Sequence, residues 1–256
     1  MLIAAGFFVG LLVGLTGVGG GALMTPLLLL IFGVAPVTAI GTDLWFAAIT
    51  KLAASKVHHS KGLIDWGVLK LLWSGSLPAS LITVILMKMG WLSLSTAFLK
   101  DAVAVAILIT AISMLFQKRL HGFGKHLRLN QGEQFKRYQP ALTILAGALL
   151  GFLVTLTSIG AGAVGVVLLT YLYPLRLTPA RLVATDIVHA IPLAMFAGMG
   201  HLLIGHIDYS LLGWLLIGSI PGVLIGAMLS SRLPQQILRV GISIVLSLVA
   251  TKILLS

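Results

Sequence analysis

From Leu2 to Phe32 the chain runs without one charged side chain, and Thr16 and Thr25 are its only hydroxyls. About 20 apolar residues cross a hydrocarbon core of ~30 Å as a helix, so this run is longer than a span needs. Its middle is glycine: Leu15-Thr16-Gly17-Val18-Gly19-Gly20-Gly21-Ala22. A second long apolar run, in the other half of the chain, is interrupted in the same manner at Leu156-Thr157-Ser158-Ile159-Gly160-Ala161-Gly162-Ala163. Glycine inside a helix weakens it. Irregular backbone at membrane depth survives only where protein covers it or where it lines a cavity. The two stretches therefore predict helices broken for use, and the rest of the chain is read around them.

Composition fixes the class. Of 256 residues, 59% are hydrophobic and 9% charged, against about 25% charged in soluble domains. Such a chain cannot cover a water-facing surface, and an all-α polytopic membrane protein is expected, with the lipid bilayer as its surroundings. A transmembrane barrel would need alternating segments of ~10 residues, which the long apolar runs do not show. The 17 Lys and Arg outnumber six Asp and Glu, for a net charge of +11. They are spread along the chain and are densest at 117–138, which matches the cytoplasmic bias of positive charge and not a nucleic-acid surface. No cysteine is present, so neither a disulfide framework nor a cysteine-ligated metal is expected. There is no His-Glu-x-x-His site or phosphate loop. No enzyme activity, catalytic residue, metal or cofactor is anticipated. The first run lacks a basic n-region and continues too far for a cleavable signal peptide, so it reads as the first span.

Eight segments follow in order: 2–32 with the first interruption, 36–55, 65–87, 97–116, 140–173 with the second interruption, then spans opening at Pro179, Tyr209 and about Gln236. Residues 1–116 form a first repeat and 139–256 a second. Residues 117–138 read as a basic cytoplasmic loop carrying Lys118, Arg119, Lys125, Arg128, Lys136 and Arg137 against Glu133. The repeat rests on identities that recur at one constant offset: Pro36/Pro179, Thr42/Thr185, Asp43/Asp186, His58/His201, Gly62/Gly205, Asp65/Asp208, Gly75/Gly218, Ser76/Ser219 and Pro78/Pro221. Polar and conformationally special residues match here, not generic Leu and Ala. If each interrupted segment crosses once, both termini and the links near 56–65 and 201–208 share the side of 117–138, and the repeats are parallel. A re-entrant hairpin at the break would invert them.

A helix that restarts at membrane depth presents free N–H groups and a partial positive charge. Glycine lets a ligand come close to them, so this is an anion site made of backbone. The candidate substrate-binding positions are Thr16, Gly17, Gly19, Gly20, Gly21, Thr42, Thr157, Ser158, Gly160, Gly162 and Thr185. Close helix packing is the better account of a single glycine pair, whereas three consecutive glycines matched by a second Gly-x-Gly favour a functional break; a Thr hydroxyl can also bond its own helix. Asp43 and Asp186 hold equivalent places inside spans, where an ionisable group is a functional hypothesis by default; they are the proton-coupling candidates, with structural carboxylates accepting bonds from neighbouring Thr, Ser or backbone groups as the equal alternative. Asp65 and Asp208 read as helix N-caps beside interfacial rings. His58 and His201 read as solvated link residues, with gating or pH sensing as the alternative; Lys51, about two turns after Asp43, reads as a side chain snorkelling to the interface, with attraction of an anion or pairing with an acid as the alternative.

Gly14-Leu15-Thr16-Gly17-Val18-Gly19-Gly20-Gly21, then Pro26 and Ala39-Ile40-Gly41-Thr42-Asp43, resemble the sulfite exporter TauE/SafE family of membrane proteins. Asp65-Trp66 followed by Gly75-Ser76-Leu77-Pro78 is similar to that family's next block. The resemblance spans nearly the whole chain. It implies a permease of the cell membrane that moves a small sulfur-containing oxyanion such as sulfite, sulfoacetate or an organosulfonate. The second interruption departs from the pattern, with Ser158 at the place of Gly17, Ala161 at that of Gly20 and Val167 at that of Pro26. An anion channel, or a carrier for a carboxylate or another inorganic anion, fits the same residues. A structural subunit does not account for the matched glycine breaks and Thr-Asp pairs, and an intramembrane hydrolase built on Ser158 would need its His from His189 or a loop, so the repeat explains that stretch better. The oligomeric state is left open.

Overall fold

The computed structural model describes every residue except 17–19, 60–61, 93–94, 131, 205–206, 230–234 and 256. Side chains are also left undescribed at 56–59, 127, 130, 132–134 and 235–237. The described residues form ten helices: α1 Leu2–Thr16, α2 Gly21–Leu30, α3 Pro36–His59, α4 Trp66–Lys88, α5 Thr96–Asn130, α6 Gly132–Thr157, α7 Ala163–Leu172, α8 Pro179–Ile204, α9 Tyr209–Leu229 and α10 Gln235–Leu254. The eight expected segments are thus present, with the first and fifth each split at the glycine-rich stretch. Among the described residues there is no strand, and six helices are long and apolar enough to cross a membrane. The protein is an all-helical, multi-pass membrane protein.

Local chemistry sets the helix starts. Pro36 and Pro179 open α3 and α8, where a missing N–H costs nothing. Asp65 caps α4 by accepting from Val68 N at 3.1 Å, and Asp208 caps α9 by accepting from Leu211 N at 2.9 Å. Both acids are therefore N-caps, as their spacing suggests. The 117–138 stretch is not a loop. Residues 117–130 prolong α5 and 132–138 begin α6, so its polarity marks where these helices leave the apolar layer, not where they end.

Glycines on matching faces bring two helix pairs into backbone contact. A side chain at Gly6, Gly10 or Gly14 of α1 would strike the backbone of Leu215, Ser219 or Val223 of α9. Along α6, Gly147 and Gly151 meet Leu72 and Ser76 of α4 in the same way, and Thr155 Oγ1 donates to Ser80 Oγ at 2.8 Å. In both pairs the numbers rise together, so α1 runs parallel to α9 and α6 parallel to α4. Such small-residue stripes permit close van der Waals packing where no hydrophobic drive exists between helices.

These contacts also fix the direction of the interrupted segments. Asp208 N donates to Thr42 Oγ1 at 3.1 Å, and Thr50 Oγ1 meets Ser219 Oγ at 3.2 Å, so α3 is parallel to α9 and hence to α1. The short α2 between α1 and α3 must therefore run back. In the other half, Gln139 and Thr143 near the start of α6 bond Leu172 O (2.5 Å) and Tyr173 Oη (2.8 Å) at the end of α7. That is a hairpin. Each interrupted segment enters and leaves by the same end of the bundle, which changes the parity of the chain. Consequently α3 and α8 run oppositely: Asp208, just past α8, meets the start of α3, and Asp65, just past α3, donates from N to Thr185 Oγ1 at 3.1 Å near the start of α8. The parallel arrangement expected from one crossing per interrupted segment is corrected. The termini and the 117–138 stretch also lie at opposite ends of the bundle, not together.

Candidate functional site

The two interruptions meet. Gly20 and Gly21 at the start of α2, Ser158 and Ala161 between α6 and α7, and Leu44, Ala47 and Lys51 of α3 line one cavity, closed by Ala190 and Ala194 of α8. A Cβ at Gly21 would collide with the Ser158 carbonyl, so glycine is what lets the first break approach the second. The second break is built from left-handed backbone: Ser158 has φ +62°, Gly160 +127° and Gly162 +120°. Positive φ at a residue with a side chain is costly and persists only where surrounding packing holds it. The cavity measures ≈ 10 Å³, about the space of one water. A larger guest enters only if the helices around it separate.

Three charged side chains surround this point. Asp43 and Asp186 are completely buried, and Lys51 is 2% exposed. The Thr25 hydroxyl donates to Asp43 Oδ2 at 2.5 Å, and the Ser158 hydroxyl faces the same carboxyl. The Gly162 N–H is directed at Asp186, but neither Asp186 oxygen closes a hydrogen bond of ordinary geometry among the described residues. Lys51 Nζ donates to Ala161 O at 3.3 Å, inside the second interruption. It acts electrostatically on Asp186 and Asp43, yet no ion pair closes with either among the described residues. Snorkelling is ruled out for Lys51, because α3 turns it toward α8 and away from lipid and water.

The other sequence candidates fall into two groups. Thr16 Oγ1 donates to Leu12 O at 2.7 Å and Thr157 Oγ1 to Leu153 O at 2.7 Å. Both hydroxyls close their own helix, and Thr157 also accepts from Ile159 N at 3.2 Å across the break. Thr42 and Thr185 lie outside the cavity and receive the N–H groups of Asp208 and Asp65. Gly17 and Gly19 lie outside the described residues, as does the His58 side chain. His201 is not solvated but fully buried, its Nε2 2.9 Å from Thr155 O. His189, also buried, places Nε2 2.9 Å from Ser76 Oγ.

Sequence reasoning set Lys51 aside as an interface residue and missed Thr25 and Gly165 as parts of the site. Lys51 had a usable signal: it follows Asp43 by about two helical turns, so both share a face of α3. Thr25 had none, since a lone Thr in an apolar helix says nothing of its partner. Gly165 touches Asp186 so closely that any Cβ would clash with Oδ1, a contact visible only once α7 and α8 are packed.

Comparison with known proteins bears on this arrangement. The family model described as Sulfite exporter TauE/SafE matches residues 2–253. Among curated relatives, Probable membrane transporter protein YjnA of Bacillus subtilis (strain 168) is 39% identical over 218 residues, covering 82% of each chain. Probable membrane transporter protein YdhB of the same organism is 27% identical over 214 residues, 83% of this chain and 82% of the relative. Probable membrane transporter protein MJ0441 of Methanocaldococcus jannaschii is 29% identical over 209 residues, 78% and 70% of the two chains. No solved structure matches. With nearly its whole length matched and its glycine interruptions in place, this chain belongs to the sulfite exporter TauE/SafE family of membrane transporters.

Proposed function

We propose that the protein is a secondary transporter that moves a small sulfur-containing oxyanion, such as sulfite, sulfoacetate or an organosulfonate, across the cytoplasmic membrane. The observation that carries this reading is Lys51, buried where the two interruptions meet and acted on by Asp43 and Asp186. Charge arithmetic gives it a mechanism. With both acids ionised the group sums to −1 and repels an anion; with one protonated it is neutral; with both protonated it is +1 and attracts one. Protons on Asp43 and Asp186 would thus travel with the anion, while backbone N–H groups of the interruptions and the Ser158 hydroxyl receive its oxygens. The halves 1–116 and 139–256 act as inverted repeats with the site between them, and rocking of one against the other opens the cavity to each side in turn. Lys70, the basic 117–138 stretch, Arg176, Arg181 and Arg239 gather at one end of the bundle. The cytoplasmic bias of positive charge assigns that end, with 117–138, to the cytoplasm.

The test is uptake of labelled sulfite into proteoliposomes with and without a pH gradient. Saturable, gradient-responsive uptake is expected, falling at least about tenfold in Lys51→Met, which keeps the apolar stem and removes the charge. Loss of gradient response in Asp43→Asn/Asp186→Asn with residual uptake would assign the coupling proton to these acids. Wild-type uptake by folded Lys51→Met protein would remove the central site from the reading.

A further inference from the structure

A second cavity, whose lining shares no residue with the first, lies at the basic end of the bundle. From Thr96, the first residue of α5, to Gln117 the helix rises ~32 Å. That matches the thickness of the hydrocarbon core, which puts Gln117 and its neighbour Lys118 one core thickness from the helix start. They line a cavity of ≈ 240 Å³ together with His121 of the same helix, Thr170 of α7 and Arg239 of α10. Among the described residues no acidic side chain lines it, and Val166, Leu177 and Leu182 give it an apolar wall.

Its polar groups are held in place. Arg239 Nη1 donates to Gln117 Oε1 at 2.5 Å, Gln117 Nε2 donates to Thr170 Oγ1 at 3.2 Å, and Thr170 Oγ1 donates to Val166 O at 2.6 Å. Gln117 is nearly buried, at 9% exposure. A chain of bonds therefore ties one arm of the guanidinium to α7, and a guanidinium fork is the donor geometry that matches a phosphate or sulfonate. Ordering a long arginine side chain costs rotamer entropy, and here that cost is met before any ligand arrives. The repeat does not explain the cavity: at the equivalent places of the first half, Arg239 is matched by Thr96 and Thr170 by Leu29.

We propose that this cavity is a second anion site, separate from the central one, for a phosphate or sulfonate head carried on an apolar tail. The cationic lining takes the head and the Val166–Leu182 wall takes the tail. The same chemistry is supplied by a membrane phospholipid or by a free alkyl sulfonate.

The test is thermal unfolding of the purified full-length protein in two arms. One arm titrates butanesulfonate in detergent; the other compares nanodiscs of phosphatidylcholine with and without phosphatidylglycerol. Stabilisation in the first arm identifies a free ligand, and stabilisation in the second alone identifies a lipid. In either case Arg239→Gln should raise the half-stabilising concentration or mole fraction about tenfold, Arg239→Lys should raise it less, and Lys51→Met should leave it unchanged. Absence of stabilisation in both arms overturns the proposal. So does stabilisation that Arg239→Gln and Lys118→Gln leave intact, or that disappears with Lys51→Met.

Discussion

Asp43 and Asp186 occupy equivalent positions in the two halves, each after a Thr and each completely buried in its helix. Their surroundings nevertheless differ. Asp43 receives the Thr25 hydroxyl at 2.5 Å, whereas the position that matches Thr25 in the second half is Val166, which has nothing to donate. Asp186 is pressed instead against Gly165, at the place of the buried Met24. Lys51, which serves both acids, is matched by Ala194. The two acids thus stand at matching places in the sequence with unlike partners. One carboxyl is held by a hydrogen bond and the other by shape and by a charge borrowed from the opposite half.

That difference can be broken from the second site first. Gly165→Val drives a side chain into the Asp186 carboxylate. Overpacking alone costs about 1–3 kcal/mol, and displacing a buried carboxylate adds to it. Loss of folded protein on size-exclusion chromatography, or loss of uptake in whatever folds, is expected. Met24→Ala at the matching place leaves a void of ordinary cost and should spare transport by comparison. Wild-type unfolding temperature and uptake in Gly165→Val would show that Asp186 does not need this contact.

Thr25→Val makes the first acid resemble the second. Removing the donor from a buried acceptor costs about 1–3 kcal/mol, read as a lower midpoint in thermal unfolding. An unchanged midpoint would mean that Asp43 is held by packing, as Asp186 is. The smallest effect is expected at the paired threonines. Thr42→Val and Thr185→Val each remove an acceptor from a backbone N–H at 3.1 Å, at about 1 kcal/mol apiece. Thr42→Val should cost more, because Asp65 also accepts from Arg176 Nε and Nη2 at 2.8 Å each, while Asp208 relies on its cap. Equal midpoints would assign no supporting role to the half-exposed arginine, which is common for ion pairs near solvent.

Much of the frame was legible before the fold was known. Span positions followed from apolar runs, and the caps at Asp65 and Asp208 followed from Asp at a helix start. Glycine clusters marked the helix breaks: at the second, Gly160 and Gly162 take positive φ that few other residues accept, and at the first, Gly21 admits the Ser158 carbonyl. The site was legible only in part. Gly20, Gly21 and Ser158 reach the cavity, whereas Thr16, Thr42, Thr157 and Thr185 use their hydroxyls on nearby backbone, and a hydroxyl carries no mark in the sequence of which partner it will choose. His201 and Lys51 were misplaced for a related reason: link residues and helix cations are exposed on average, and only packing says when a neighbouring helix covers them.

The sequence by itself determined that the chain is a bundle of membrane helices, where two of its segments are interrupted, and which residues recur between its halves. Those properties depend on residue chemistry along one segment: transfer of apolar side chains from water, and the angles glycine allows. Tertiary structure decided that the interruptions turn the chain back, that the helices bearing the two acids run oppositely, and that Lys51 sits with both of them. Direction is not a local property. An apolar helix crosses equally well either way, and the choice falls to contacts such as Gly10 on Ser219 and Gln139 on Leu172, which join residues far apart in the chain.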